Sequence, residues 1–280
     1  MEKNDKKVWL ITGSSSGLGR ALVDAATQKG DKVIAAVRDT DPVKNKASFP
    51  EGVKVIKMDV TDPAEIKKAV QSAHESFGRI DYLVNNAGSG VYGAIEEGTD
   101  EQMCSQIETN LIGAMRVIRE VLPIMREQKA GHIIQISSSL GQAVIPGFGF
   151  YDASKWGIDG FAETLNSEVS SLGIKVTIVE PGGMRTDFFT RGLVVSTPMD
   201  AYDKTPVGDI RRAMAAGQMT LVGDPLKVAK AILEISDNPN PPLRLVLGSD
   251  AYDMVKKSLQ SRLEELEKYK MITMTTDVSA

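Results

Sequence analysis

Short apolar runs alternate with stretches of helical period along most of the chain. Residues 8–12 (VWLIT) are apolar without the every-second-residue alternation of a half-exposed strand, which predicts a strand covered on both faces. Leu18, Ala21, Leu22 and Ala25 then recur at helical spacing over 18–28, and Gly30 marks the stop. Further strands are predicted at 32–37, 53–57, 82–85, 132–137, 175–179 and 243–247. Asp62-Pro63 is an N-cap followed by proline in the first turn of a helix that runs to Phe77, with Gly78 behind it; Asp224-Pro225 repeats the device for a helix to Ser236. Thr99, with Gln102 three residues on, is a capping box. It opens a long helix over 99–125 with Met103, Ile107, Asn110, Ala114, Val117, Ile118 and Val121 on one stripe. Other helices are predicted at 151–172 and 258–269.

Strands alternating with helices imply parallel strands joined by right-handed crossovers. The expected fold class is α/β, a doubly wound parallel sheet of about seven strands with helices on both faces. No linker, tandem repeat or low-complexity tract divides 1–247, so one domain is the expected count. Two segments break the rhythm. Residues 187–218 carry aromatics, methionines and glycine with weak periodicity, which reads as a lid or an insertion. Beyond Gly248 come a charged helix and a frayed tail over 271–280.

Composition narrows the function. A net charge of −4 and a pI of 5.4 argue against nucleic acid as the main partner. Cys104 is the only cysteine and is read as a packing residue; with His74 and His132 the only histidines, neither a disulfide nor a metal site is expected. The first ten residues are too charged for a secretory signal, and no apolar run reaches the ~18 residues needed to cross a membrane. A soluble, cytoplasmic protein with a small-molecule partner is the expectation.

Directly after the first strand comes Thr12-Gly13-Ser14-Ser15-Ser16-Gly17-Leu18-Gly19. Glycines let the backbone turn sharply and let a phosphate approach it, and the helix behind offers unpaired N–H groups to a pyrophosphate. Such a turn can be a plain strand-to-helix connection, but its place after the first strand and at the opening of the first helix meets the context expected of a dinucleotide site. An acidic residue at the end of the second strand would bind a ribose 2′-OH; here the position is Val37, followed by Arg38, which can pair with a 2′-phosphate or stand solvated. Ser14 and Ser15 could add donors, while Asp39 muddies the choice; NADP(H) is favoured over NAD(H). Asp59 closes the third strand and either accepts from an adenine amino group or caps a turn. Asn85-Asn86-Ala87-Gly88 offers backbone to a ribose, ties loops together, or does both.

Tyr151 and Lys155 lie four apart at the start of a predicted helix, on one face, with Cβ atoms ~5–6 Å apart. A phenol ionises near pH 10; an ammonium ~4 Å away would favour the phenolate by up to ~4 kcal/mol, bringing the tyrosine toward working pH. The fifth strand ends in Ser137-Ser138-Ser139, hydroxyls at the sheet edge where open α/β sheets bind ligands. A buried Asn110 amide needs partners, which a polar chain through Lys155 and Tyr151 would supply.

In this order, Thr12-Gly-x-x-x-Gly-x-Gly19, Asn85-Asn-Ala-Gly88, Asn110, Ser138, Tyr151-x-x-x-Lys155 and Pro181-Gly-Gly183 resemble the short-chain dehydrogenase/reductase family. The likeness runs from Val8 to Leu247 and implies a single Rossmann-like catalytic domain over 1–248, with a lid at 187–218. It leaves 249–280 as a helical extension and tail to which nothing is carried over. Three residues between Gly13 and Gly17 match the compact branch, and the serine thirteen residues before Tyr151 is Ser138. The resemblance implies that Tyr151 exchanges the proton, Ser138 binds the substrate oxygen, Lys155 holds the nicotinamide ribose and Asn110 fixes a relay water. It places Gly13, Ser15, Ser16, Gly17, Leu18, Gly19, Arg38, Asp59, Val60, Asn86, Ala87, Gly88, Tyr151, Lys155, Pro181, Gly182 and Thr186 around the cofactor. Gln135 stands where an asparagine is usual. Val144, Phe148, Met184, Phe188 and Phe189 flank the chemistry, as core packing or as an apolar substrate pocket.

The implied activity is hydride transfer between NADP(H) and a ketone, aldehyde or secondary alcohol, in the manner of 17β-hydroxysteroid and retinol dehydrogenase-like carbonyl reductases. A silent NADP(H)-sensing protein and a 3-oxoacyl-thioester reductase are the alternatives. Related proteins pair their long helices across a two-fold axis, so a homodimer or homotetramer is expected.

Overall fold

The computed structural model describes residues 6–40 and 48–278. The first five residues of the charged start and the last two of the expected tail lie outside them. Among the described residues nine strands occur in chain order: β1 (Val8–Thr12), β2 (Lys32–Val37), β3 (Lys54–Lys57), β4 (Tyr82–Asn85), β5 (Gly90–Tyr92), β6 (Gly131–Ile136), β7 (Ile174–Pro181), β8 (Leu193–Val195) and β9 (Arg244–Leu247). Seven form one parallel sheet in the order β3-β2-β1-β4-β6-β7-β9, and β5 pairs with β8 in a small parallel sheet of its own. The α-helices are α1 (Gly17–Gln28), α2 (Pro63–Phe77), α3 (Asp100–Ile107), α4 (Ala114–Gln128), α5 (Gly149–Val169), α6 (Pro206–Ala215), α7 (Pro225–Ser236), α8 (Ser249–Lys268) and α9 (Lys270–Met274). None among the described residues is long and apolar enough to cross a membrane.

The unbroken apolar strands have the cause their sequence predicted: alternate residues bury on opposite faces. Leu10, Ile34, Leu83 and Ile133 pack with Ile66 of α2, Val117 of α4 and Leu165 of α5 on one side. Trp9, Ile11, Val33 and Ile134 pack with Leu22 of α1 and Ile232 of α7 on the other. This is the doubly wound α/β sheet with helices on both faces. The caps behave as predicted. Asp62 accepts from the amides of Ala64 and Glu65, and Asp224 from those of Leu226 and Lys227. Gly78 closes α2 at φ 70°, and Thr99 and Gln102 form a reciprocal capping box.

Four expectations are corrected. The long helix at 99–125 is broken by a π-helical turn at Glu108–Gly113. That turn inserts an extra residue, so the inward-facing position before it passes from Ile107 to Gln106, which is buried. Met103 and Cys104 consequently point outward and are exposed, not packed. The charged helix past Gly248 begins at Ser249 rather than 258, its first turns held by buried Ala251 and Val255, and α9 carries helix into the start of the expected tail. Residues 187–218 are less irregular than their composition suggests, carrying β8 and α6.

His132 lies buried on β6, its Nε2 2.9 Å from the Thr177 hydroxyl, which itself donates to the Pro242 carbonyl. Thr177 therefore accepts from the ring, leaving neutral His132 protonated on Nε2. Burial pulls this imidazole down from 6.5 to about 4. Between those values the unfolded chain binds more protons, so stability falls on acidification, by about 3 kcal/mol for the full shift. Urea unfolding between pH 7 and pH 4 should show this loss, and His132→Gln should show a flatter profile.

Candidate active site

The strands leave β1 in one direction and β4 in the other, so a crevice opens at their carboxyl ends. β1 runs into the glycine turn, where Gly13 and Gly17 adopt φ of +65° and +56°. A Cβ at Gly19 would sit 2.3 Å from the Gly13 carbonyl oxygen and 2.6 Å from Asn86 Nδ2. Ser16 is the N-cap of α1, and its side chain caps none of the helix amides. Ser15 and Ser16 are exposed, whereas Leu18 is buried in the core. Ser14, considered above as a phosphate donor, is buried and donates its hydroxyl to the Ile11 carbonyl at 2.6 Å. A backbone cradle without side chains, facing uncapped amides, fits a pyrophosphate.

The neighbouring loops are laced to this turn. The Thr12 hydroxyl accepts from the amides of Asn86 (2.9 Å) and Ala87 (3.0 Å), and Asn86 Nδ2 donates to the carbonyls of Thr12 and Gly13. Asn85 donates to the Ala114 carbonyl and to Gln135 Oε1, both at 2.9 Å, so the unusual glutamine serves as a tie. Gly88 approaches Asn110, whose Oδ1 would lie 3.3 Å from a Cβ there. Arg38 stands exposed just past β2. Burial pushes the Asp59 carboxyl up, but hydrogen bonds from the Thr61 hydroxyl and amide, with the Arg38 charge, outweigh it and hold the group below its ordinary value. Those Thr61 bonds show Asp59 capping a turn. Val60 beside it is buried.

Tyr151 and Lys155 occupy the first two turns of α5, and Ser138 follows β6. The Ser138 hydroxyl hydrogen-bonds to the Tyr151 phenol and accepts from the Leu140 amide at 3.1 Å. Lys155 Nζ donates to the Ile136 carbonyl at 3.1 Å and lies 5.5 Å from the centroid of the Tyr151 ring. The electrostatics run against the sequence expectation. Burial pushes the phenol up to about 12, with the Ser138 bond opposing it. Burial also pulls Lys155 down to about 8, against the charge of Asp159. The amine sits over the ring, and with both groups withdrawn from water it gives up its proton more readily than the phenol does.

Asn110 lies in the π turn. Its amide is satisfied by Ser89, accepting from the backbone N–H and donating to the carbonyl, both at 2.9 Å, and by the Ser154 hydroxyl at 3.3 Å. Ser154 donates in turn to the Tyr151 carbonyl at 2.7 Å. The side-chain link from Asn110 to α5 therefore passes through Ser154, a residue the spacing did not single out.

At the end of β7, Pro181 and then Gly182 lead to Thr186, whose Cβ would be 3.5 Å from a Cβ at Gly17. The loop thus closes over the glycine turn. Phe188 and Phe148 flank the Tyr151 ring, each with its centroid 5.9 Å away, and Phe189 stacks edge-on to Phe188. Tyr92 joins this cluster against Phe148 and donates to the Val207 carbonyl at 2.7 Å. Sequence pattern missed Tyr92, because β5 is only three residues long. Two expected pocket residues stand apart: Met184 packs with the core on the α1 and α7 side, and Val144 is 69% exposed.

Residues 7–192 match the short chain dehydrogenase family. Oxidoreductase BOA17 of Botryotinia fuckeliana is 39% identical over 272 residues, covering 96% of this chain and 99% of that protein. A solved short-chain dehydrogenase from Streptomyces avermitilis is 39% identical, with a TM-score of 0.90 over 98% of this chain and 100% of its own. A closed serine dehydrogenase complexed with NADP+ is 28% identical, with a TM-score of 0.72 over 86% and 94% of the two chains. Likeness this complete in sequence and in fold makes the chain an oxidoreductase of the short-chain dehydrogenase/reductase family.

Proposed function

We propose that the protein transfers hydride between NADP(H) and a ketone, aldehyde or secondary alcohol with apolar substituents. One observation carries this reading: Tyr151, hydrogen-bonded by Ser138 and overlain by Lys155, stands among aromatic rings in the crevice that the glycine turn opens. When bound, the dinucleotide supplies hydride at C4 of its nicotinamide and, once oxidised, a positive charge that opposes the burial acting on Tyr151. In reduction, Ser138 and Tyr151 hydrogen-bond the carbonyl oxygen. Tyr151 passes its Oη proton to that oxygen as the carbon gains hydride, and oxidation reverses both transfers. Lys155 fixes the tyrosine ring and the cofactor ribose, and Asn110 orders the turn that feeds protons from solvent. Holding donor, acceptor and proton in line supplies much of the rate.

Oxidation of NADPH and of NADH against a panel of ketones and aldehydes tests the reading. Turnover of apolar carbonyls with NADPH is expected; dinucleotide binding without turnover across the panel would overturn it in favour of a sensing protein. Arg38 carries the cofactor preference in this account. Arg38→Ala should raise the KM for NADPH roughly 10- to 100-fold, the loss of one or two charge-assisted hydrogen bonds, and leave that for NADH unchanged.

A further inference from the structure

We infer that Asp250, in the first turn of α8, is a positioning residue for the Pro181–Gly183 loop. The inference rests on the dinucleotide reading above, which puts this loop beside the nicotinamide. Asp250 Oδ2 accepts from the Gly183 amide at 2.8 Å. A Cβ at Gly182 would meet Oδ1 at 2.3 Å and Oδ2 at 2.4 Å, and one at Gly248 would meet Oδ1 at 2.6 Å. Gly182 has no left-handed backbone, so what its missing side chain provides is room for this carboxylate. Oδ1 is buried with no hydrogen-bond partner among the described residues. A carboxylate so placed is tolerated beside the amino end of α8, whose dipole favours negative charge.

The other edge of the loop is pinned mainly by backbone, with the Arg185 guanidinium donating to the Leu221 carbonyl at 3.0 Å. The Gly223 amide donates to the Gly183 carbonyl and the Arg185 amide to the Gly223 carbonyl, both at 2.9 Å, while the Gly182 amide donates to Leu247. Asp250 is thus the side chain that sets where Gly182 and Gly183 sit before the chain reaches Thr186 and the glycine turn. α8 is held in register by a second contact, the Ser258 hydroxyl and Arg262 guanidinium donating to the Gln142 carbonyl at 2.7 and 2.9 Å. The chain's final long helix therefore braces the loop after β7 and the segment after Ser138 together.

The test uses full-length Asp250→Ala, Asp250→Asn and Gly182→Ala, read by fluorescence titration with NADPH and by hydrogen exchange at the Gly183 amide. Asp250→Ala should weaken NADPH binding about tenfold or more and speed that amide's exchange by a similar factor, the yield of one charge-assisted hydrogen bond. Asp250→Asn keeps an acceptor of the same shape and should stay within about threefold of the parent. Gly182→Ala, which leaves Asp250 in place, should weaken binding alone yet add little to Asp250→Ala, since the two share one contact. Parent-like affinity and exchange in Asp250→Ala would overturn the inference, as would parent-like behaviour of Gly182→Ala if Asp250→Ala fails to fold. A parent protein that binds neither dinucleotide would sink the functional reading instead, and exchange at Gly183 would still decide whether Asp250 holds the loop.

Discussion

Tyr151→Phe should lower kcat about 10³-fold while leaving NADPH affinity within twofold of the parent, the scale expected for losing a positioned general acid. The ring's edge contacts with Phe148 and Phe188 survive the change, and Lys155 keeps its bond to the Ile136 carbonyl. Only Oη and its bond with Ser138 are lost, and Ser138 retains the Leu140 amide. Thermal stability should therefore move by about 1 kcal/mol or less. A fall in both kcat and NADPH affinity would mean that the ring had moved. Near-parent turnover would show that the proton comes from another group, and the mechanism would fail with it. Single-turnover measurement of NADPH oxidation beside equilibrium titration separates these cases.

The value of that variant depends on a feature that spacing alone describes incorrectly. Tyrosine and lysine one helical turn apart suggest a depressed phenol, because residue spacing fixes a distance but not a dielectric. In the folded chain both groups are withdrawn from water, and the cost falls on whichever is charged. The lysine goes down to about 8 and the tyrosine up to about 12. An acid raised in this way holds its proton until a cation arrives, which suits a donor to a carbonyl oxygen.

Much of the fold was legible because its signals are local. Asp62-Pro63, Asp224-Pro225 and the Thr99–Gln102 box each act within four residues, and the strands are buried on both faces so that alternation vanishes. The glycine turn was legible for the same reason. The π turn at Glu108–Gly113 was not, since one inserted residue shifts the helical phase without changing composition. Nor was the pairing of β5 with β8, three residues each and a hundred apart in sequence, which sets Tyr92 and Leu193 beside the Tyr151 cluster. Asp250 gave no signal at all, because its partner is a backbone amide 67 residues away.

The glycine turn itself yields the second large effect. Gly19→Ala should weaken NADPH binding by about 100-fold or more, the penalty for misplacing a binding element by about an ångström. Its backbone has no positive φ, so conformational strain is not the cause. The obstacle is the Gly13 carbonyl oxygen 2.3 Å from the new methyl, with Asn86 Nδ2 at 2.6 Å behind it. Neither can retreat cheaply: Gly13 belongs to the turn, and Asn86 is tied to the carbonyls of Thr12 and Gly13. Gly30→Ala supplies the contrast. That residue has φ +91° with nothing within 4 Å of a Cβ, so it should cost about 1 kcal/mol of stability and no affinity. Equal affinities for Gly19→Ala and the parent would place the pyrophosphate away from this turn. An affinity lost in Gly19→Ala but kept in Gly30→Ala would put the phosphates against the backbone between Gly13 and Gly19, where the amides of α1 lack side-chain caps.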